Sequence, residues 1–186
     1  MKNIILALLI GMVFLGCTKK LESNLNPYVT LYQNEKQNTK INFVGVEDKR
    51  VSKTVSKVLD ENVVIEEYGL SNDVKVWYRE AFIRELKTVD MYASNDAIYN
   101  VVVNIKKIKA TYKKAKLDKK NMQVTISLEL VIKQGNTTTT SNITIHQTAY
   151  KILVSDASDF EDILNEVIRD SVSKTVAILI KKVNSI

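Results

Sequence analysis

Cysteine, proline and histidine each occur once in the 186-residue chain, as Cys17, Pro27 and His146, and there are only five glycines. One cysteine excludes an intrachain disulfide, so packing alone must hold the fold. One histidine and one cysteine do not make the three or four ligands that a zinc site needs, so no metal is expected. The scattered glycines form neither a G-x-G-x-x-G nor a Walker loop, which removes the usual phosphate cradles. With so little proline and glycine the chain is not low-complexity over most of its length. A long apolar run is also missing. The longest, residues 4–15, has roughly a dozen apolar positions and falls short of the ~20 that cross a bilayer. The length suits one domain with its own core.

What is abundant is positive charge. Lys and Arg number 27 against 21 acidic residues, a net +6, with lysine dominant over arginine. This balance suits anionic partners without choosing among lipid headgroups, acidic proteins and nucleic acid. Eight lysines cluster: Lys106, Lys107, Lys109, Lys113, Lys114, Lys116, Lys119 and Lys120. Two readings fit them. The cluster is either a positive hairpin tip that meets headgroups, peptidoglycan or an acidic partner, or a solvated turn that discourages edge aggregation. Aromatic interleaving is sparse, with Tyr112 alone inside the cluster, so nucleic acid is not expected.

The amino terminus reads MKNIILALLIGMVFLGCTKK. Lys2 provides a positive start, and the apolar run has the size of a secretion-signal core. It ends Phe14-Leu15-Gly16-Cys17, which resembles a bacterial lipobox, with Phe14 where Leu is usual. The resemblance implies cleavage before Cys17, a diacylglycerol on its thiol and an acyl chain on its new amino group, with no other cofactor. Several chains on one residue give lasting attachment where a single chain holds weakly. An incidental cysteine in a secretion signal and a short retained anchor are the competing readings. Thr18 stands where Asp would mark inner-membrane retention, so the resemblance implies the outer membrane, periplasmic face. Residues 1–16 are therefore expected to be a signal peptide. Residues 17–40, polar and Asn-rich, are expected to form the lipidated Cys17 and a tether, with a short extended piece at residues 28–32.

Residues 41–186 are expected to form a single α+β domain. An apolar run at residues 41–46 has strand length and precedes the charged turn Glu47-Asp48-Lys49-Arg50; a second strand is expected within residues 58–68. Ser71 and Asn72 are cap candidates for a helix whose stripe is Val74, Trp77, Tyr78, Ala81, Phe82, Leu86 and Val89. Tyr99, Val101, Val103 and Ile105 alternate, then Ile108, Ala110 and Tyr112 take the other parity, which predicts a bulge near Lys106-Lys107. Met122 to Ile132 alternates without a break, and Gln134-Gly135-Asn136 signals a hairpin into a third long strand. Ser158 to Glu161 opens a second amphipathic helix. The pattern predicts an antiparallel sheet, a long three-strand meander plus short N-terminal strands, with two amphipathic helices on its dry face. The wet face, with Gln123, Thr125, Ser127 and Glu129, reads equally as plain solvated sheet or as a place for a partner strand.

INFVGVEDKR, YREAFIREL, AIYNVVVNIKKIKATY and FEDILNEVIRDSV, in this order after a lipobox, resemble the YajG-type outer-membrane lipoproteins. Asp48 and Arg50 match the Asp-x-Arg that often follows the first strand of that family. The resemblance implies a small periplasm-facing domain with no catalytic site to carry over. The expected function is a membrane-anchored, non-enzymatic interaction or assembly module of the envelope, bound to lipid through Cys17 and to an envelope protein. Its rivals are a lipid or lipopolysaccharide carrier with an apolar pocket near Trp77 and Phe82, an accessory subunit of an envelope machine such as the flagellar motor, and an enzyme built around His146.

Overall fold

Ten elements form in the computed structural model, which describes residues 19–30, 35–60, 63–93, 97–114, 122–149 and 158–185. They are β1 (Lys19–Ser23), β2 (Ile41–Asp48), β3 (Ser56–Asp60), β4 (Val63–Leu70), α1 (Val74–Thr88), β5 (Tyr92–Ala93), β6 (Tyr99–Lys114), β7 (Met122–Gln134), β8 (Thr137–Ala149) and α2 (Ser158–Val183). All the strands join one sheet, centred on β6.

The meander β6–β7–β8 is antiparallel as the sequence predicts, with the register shift at Ile105/Lys107 where the parity changes. The hairpin turn between β7 and β8 uses Gly135 at φ 55°, a left-handed conformation that glycine adopts without steric cost. The sheet as a whole is mixed, which corrects the antiparallel expectation. β2 and β3 both run parallel to β6, β1 runs parallel to β4, and β5 runs parallel to β2. The expected second strand is two strands, β3 and β4, which pair antiparallel. Parallel partners lie far apart in sequence, so local alternation carries no trace of them.

α1 is capped by Asp73, whose carboxylate accepts from the amides of Lys75 and Val76, one residue later than the expected caps. It turns Trp77, Tyr78, Ala81, Phe82 and Leu86 inward, where Tyr78 and Phe82 stack at 6.0 Å and Phe43 of β2 meets Phe82 at 5.7 Å. α2 buries Leu164, Val167, Ile168, Val172, Val176 and Leu179 against β7 and β8. The facing strand row from Met122 to Ile132 is buried at every second residue.

The polar stretch before residue 41 does not behave as a free tether from Lys19 to Tyr28. β1 adds to β4, and Leu25 and Tyr28 are buried. The backbone N–H groups of Asn24 and Asn26 donate to the side-chain oxygens of Glu161 and Asn165 of α2 at 2.8 Å each, and the Trp77 indole donates to the Asn26 backbone carbonyl at 2.8 Å. Tyr28 donates to the buried Glu85 of α1 at 2.6 Å and lies 3.1 Å from Ser173 of α2. Burial, and then the Glu85 carboxylate beside it, push the Tyr28 hydroxyl pKa above its ordinary value. Hydrogen bonds of this kind offset the cost of burying polar groups, so a polar sequence can still belong to the folded body.

Candidate functional site

β6 carries five lysines: Lys106, Lys107, Lys109, Lys113 and Lys114. On one edge it pairs with β7 along its length. On the other, β2 ends at the pair Asp48↔Ile105 and β3 begins at Ser56↔Ala110. The chain between, residues 49–55, leaves the sheet and is pinned at both ends. The Lys49 amide donates to the Ile105 carbonyl at 2.9 Å, and the Ala110 amide donates to the Val55 carbonyl at 2.7 Å. The bulge at Ile105/Lys107 falls opposite this gap. A hollow of about 380 Å³ results.

Its walls mix Val51, Val55 and Ile108 with Arg50, Lys57 and the lysines of β6. Asp48 organises the cationic side. Arg50 donates to it through Nε at 2.8 Å and Nη2 at 2.9 Å, and Lys53 adds an ion pair. The Arg50 side chain is 5% exposed. The Arg50 hydrogen bonds, helped by Lys53, hold the Asp48 carboxyl well below the usual carboxylate range. The third guanidinium nitrogen of Arg50, Nη1, is buried and has no hydrogen-bond partner among the described residues.

The eight-lysine cluster does not form one hairpin tip. Lys106, Lys107 and Lys109 lie mid-strand at the bulge, while Lys113 and Lys114 close β6. Lys106 pairs with Glu129 at 2.9 Å, and that pair, with a hydrogen bond from Asn104, lowers the Glu129 pKa. Lys57 pairs with Glu67 at 2.7 Å. Lys107 and Lys109 are exposed and have no acidic partner among the described residues. Lys116, Lys119, Lys120 and Cys17 lie outside the described residues. The Asp-x-Arg match was visible in the sequence; that Arg50 lines a hollow beside the bulge depends on where β2 stops and β3 starts along β6.

The pairings also align one end of the sheet. Lys19 lies opposite Glu66, Glu66 opposite Val58, Val58 opposite Tyr112, Tyr112 opposite Met122, and Met122 opposite Ala149. The start of β1 and the end of β6, with Lys113, therefore share one end.

Two further features bear on the expectations. Trp77 and Phe82 are packed in the core, and the hollow beside Trp77 is about 60 Å³. His146 is exposed on β8, its Nδ1 3.0 Å from Thr125 Oγ1. Among the described residues β8 pairs only with β7, which leaves its outer edge open; that strand, TTTTSNITIHQTA, contains no Asp, Glu, Lys or Arg.

A family model described as an uncharacterized lipoprotein matches residues 27–177. Two solved structures share the fold. A Xanthomonas campestris protein of family DUF330 superposes with a TM-score of 0.54 at 10% identity, over 86% of this chain and 91% of its own. An uncharacterized protein superposes with a TM-score of 0.53 at 12% identity, over 89% and 99%. No curated protein matches the chain.

Proposed function

The chain belongs to the YajG-type family of uncharacterized lipoproteins, and we propose that it is held on the periplasmic face of the outer membrane through lipid on Cys17, close against the bilayer, as a non-enzymatic interaction and assembly module. The observation that carries this reading is the alignment of the sheet end. Cys17 precedes the first residue of β1 by two positions. A chain of that length reaches about 7 Å when extended. The anchor thus leaves from the end of the sheet at which β6 finishes in Lys113 and Lys114. The following connection to β7 carries Lys116, Lys119 and Lys120 in sequence. Lysines near an anionic surface contribute about 1 kcal/mol each, so this end favours headgroups once the acyl chains insert.

The open β8 edge then projects from the opposite margin of the meander. Long edges are normally blunted by charge or proline, and β8 has neither. An extended segment of an envelope protein fits it by strand addition.

Mass spectrometry of the mature protein should find a diacylglyceryl thioether and an N-acyl chain on Cys17, and Cys17→Ser should release the protein from membranes. A photo-crosslinker at Thr140 on β8 should capture a defined envelope protein that one at Glu166, exposed on α2, does not. A free Cys17 thiol on the membrane-bound protein would overturn the anchor; equal capture from both positions would overturn the docking edge.

A further inference from the structure

We propose that the gap between β2 and β3 is a binding site for a small anionic amphiphile, a molecule with one phosphate or carboxylate group joined to a short apolar body. The hollow of about 380 Å³ is within the size range of small-molecule pockets. Val51, Val55 and Ile108 give it an apolar wall, and the lysine stems extend that wall. Among the described residues no aromatic ring lines it, so a nucleobase would find nothing there to stack on.

The anionic group is assigned by Arg50. Buried polar groups are nearly always hydrogen-bonded, and an exception calls for a partner. Two nitrogens of Arg50 are engaged by Asp48, while Nη1 is buried without a partner among the described residues, and Arg50 is one of the residues that line the hollow. A phosphate or carboxylate oxygen is the acceptor that a guanidinium binds best. The nearby acids do not oppose this. Asp48 is engaged by Arg50 and Lys53, Glu67 by Lys57, and Glu129 by Lys106. Lys107 and Lys109, on the same stretch of β6, remain available to the ligand's charge.

The test uses the full chain held in phosphatidylcholine vesicles and titrated calorimetrically with hexyl phosphate. Saturable binding is expected, at least tenfold tighter than inorganic phosphate and absent with hexanol. Lys107→Gln with Lys109→Gln, both exposed positions, should weaken it about tenfold with an unchanged circular dichroism spectrum. Equal binding of hexanol, or full affinity in the double variant, would overturn the site; inorganic phosphate binding as tightly as the ester would overturn its apolar half. Adding phosphatidic acid to the vesicles separates the sources. Loss of hexyl phosphate binding assigns the site to a lipid headgroup, and unchanged binding assigns it to a soluble ester, both in keeping with the site.

Discussion

Along one edge of β6, β7 pairs from Tyr99↔Gln134 to Tyr112↔Met122, with a single shift at the bulge; along the other, β2 stops at Ile105 and β3 takes over at Ala110. The continuous edge buries Val124, Ile126, Leu128 and Leu130 beneath α2, each at most 1% exposed. Those four side chains leave almost no exposed surface for a ligand to touch. The interrupted edge trades ladder hydrogen bonds for a hollow where a buried guanidinium, free lysines and aliphatic walls meet. One strand thus carries the stability of the domain on one side and its capacity for recognition on the other.

The sharpest way to break this comparison is to open a cavity on the continuous edge. Leu128→Ala should cost about 2–5 kcal/mol, the range for truncating a fully buried leucine, read from urea unfolding. A loss below about 1 kcal/mol would mean that the β7 row is not a tightly packed face, since collapse would then have filled the space.

On the interrupted edge the largest effect should come from Asp48→Asn. It removes the charge that holds the mostly buried Arg50, and Asp48 is 16% exposed, so about 2 kcal/mol is expected, below the 3–5 of a fully buried pair. The pH dependence has a definite sign. The folded Asp48 pKa lies below its unfolded value of about 4. Its contribution is fully present above that unfolded value and is lost as the pH falls toward the folded one. The gap in stability between the natural chain and Asp48→Asn should therefore shrink on acidification below about pH 4, as measured by urea unfolding across pH. A gap that is constant from pH 7 to 3 would sink the assignment of the lowered pKa to the Arg50 pair.

The same contrast explains what could be read in advance. The β7 edge was legible because one dry face imposes strict alternation from Met122 to Ile132, and because the β6 bulge leaves a parity change at Lys106-Lys107. The other edge was not. Parallel pairing of β2 and β3 to β6 is fixed by packing between distant segments, and no turn residue announces it. Between the residues of β3 and β4 the sequence reads Glu61-Asn62, with neither glycine nor proline to punctuate the run. β1, Lys-Lys-Leu-Glu-Ser, is polar because it lies at a sheet margin, and a polar margin strand looks like a tether. Arg50 was visible as part of a motif, but the hollow it lines exists only once β2 and β3 are set end to end along β6.

The smallest expected effect tests whether the gap is separable from the fold. Val51 sits in the excursion between β2 and β3 and is 104% exposed, so it contributes no buried area in the folded state. Surface changes of this kind stay within about 0.5 kcal/mol, and Val51→Ser should do so by urea unfolding. Val55, seven-residue excursion's last member and 1% exposed, supplies the contrast. If Val51→Ser destabilised the domain as much as Val55→Ala, the excursion would be part of the core, and the division of labour between the two edges of β6 would not hold.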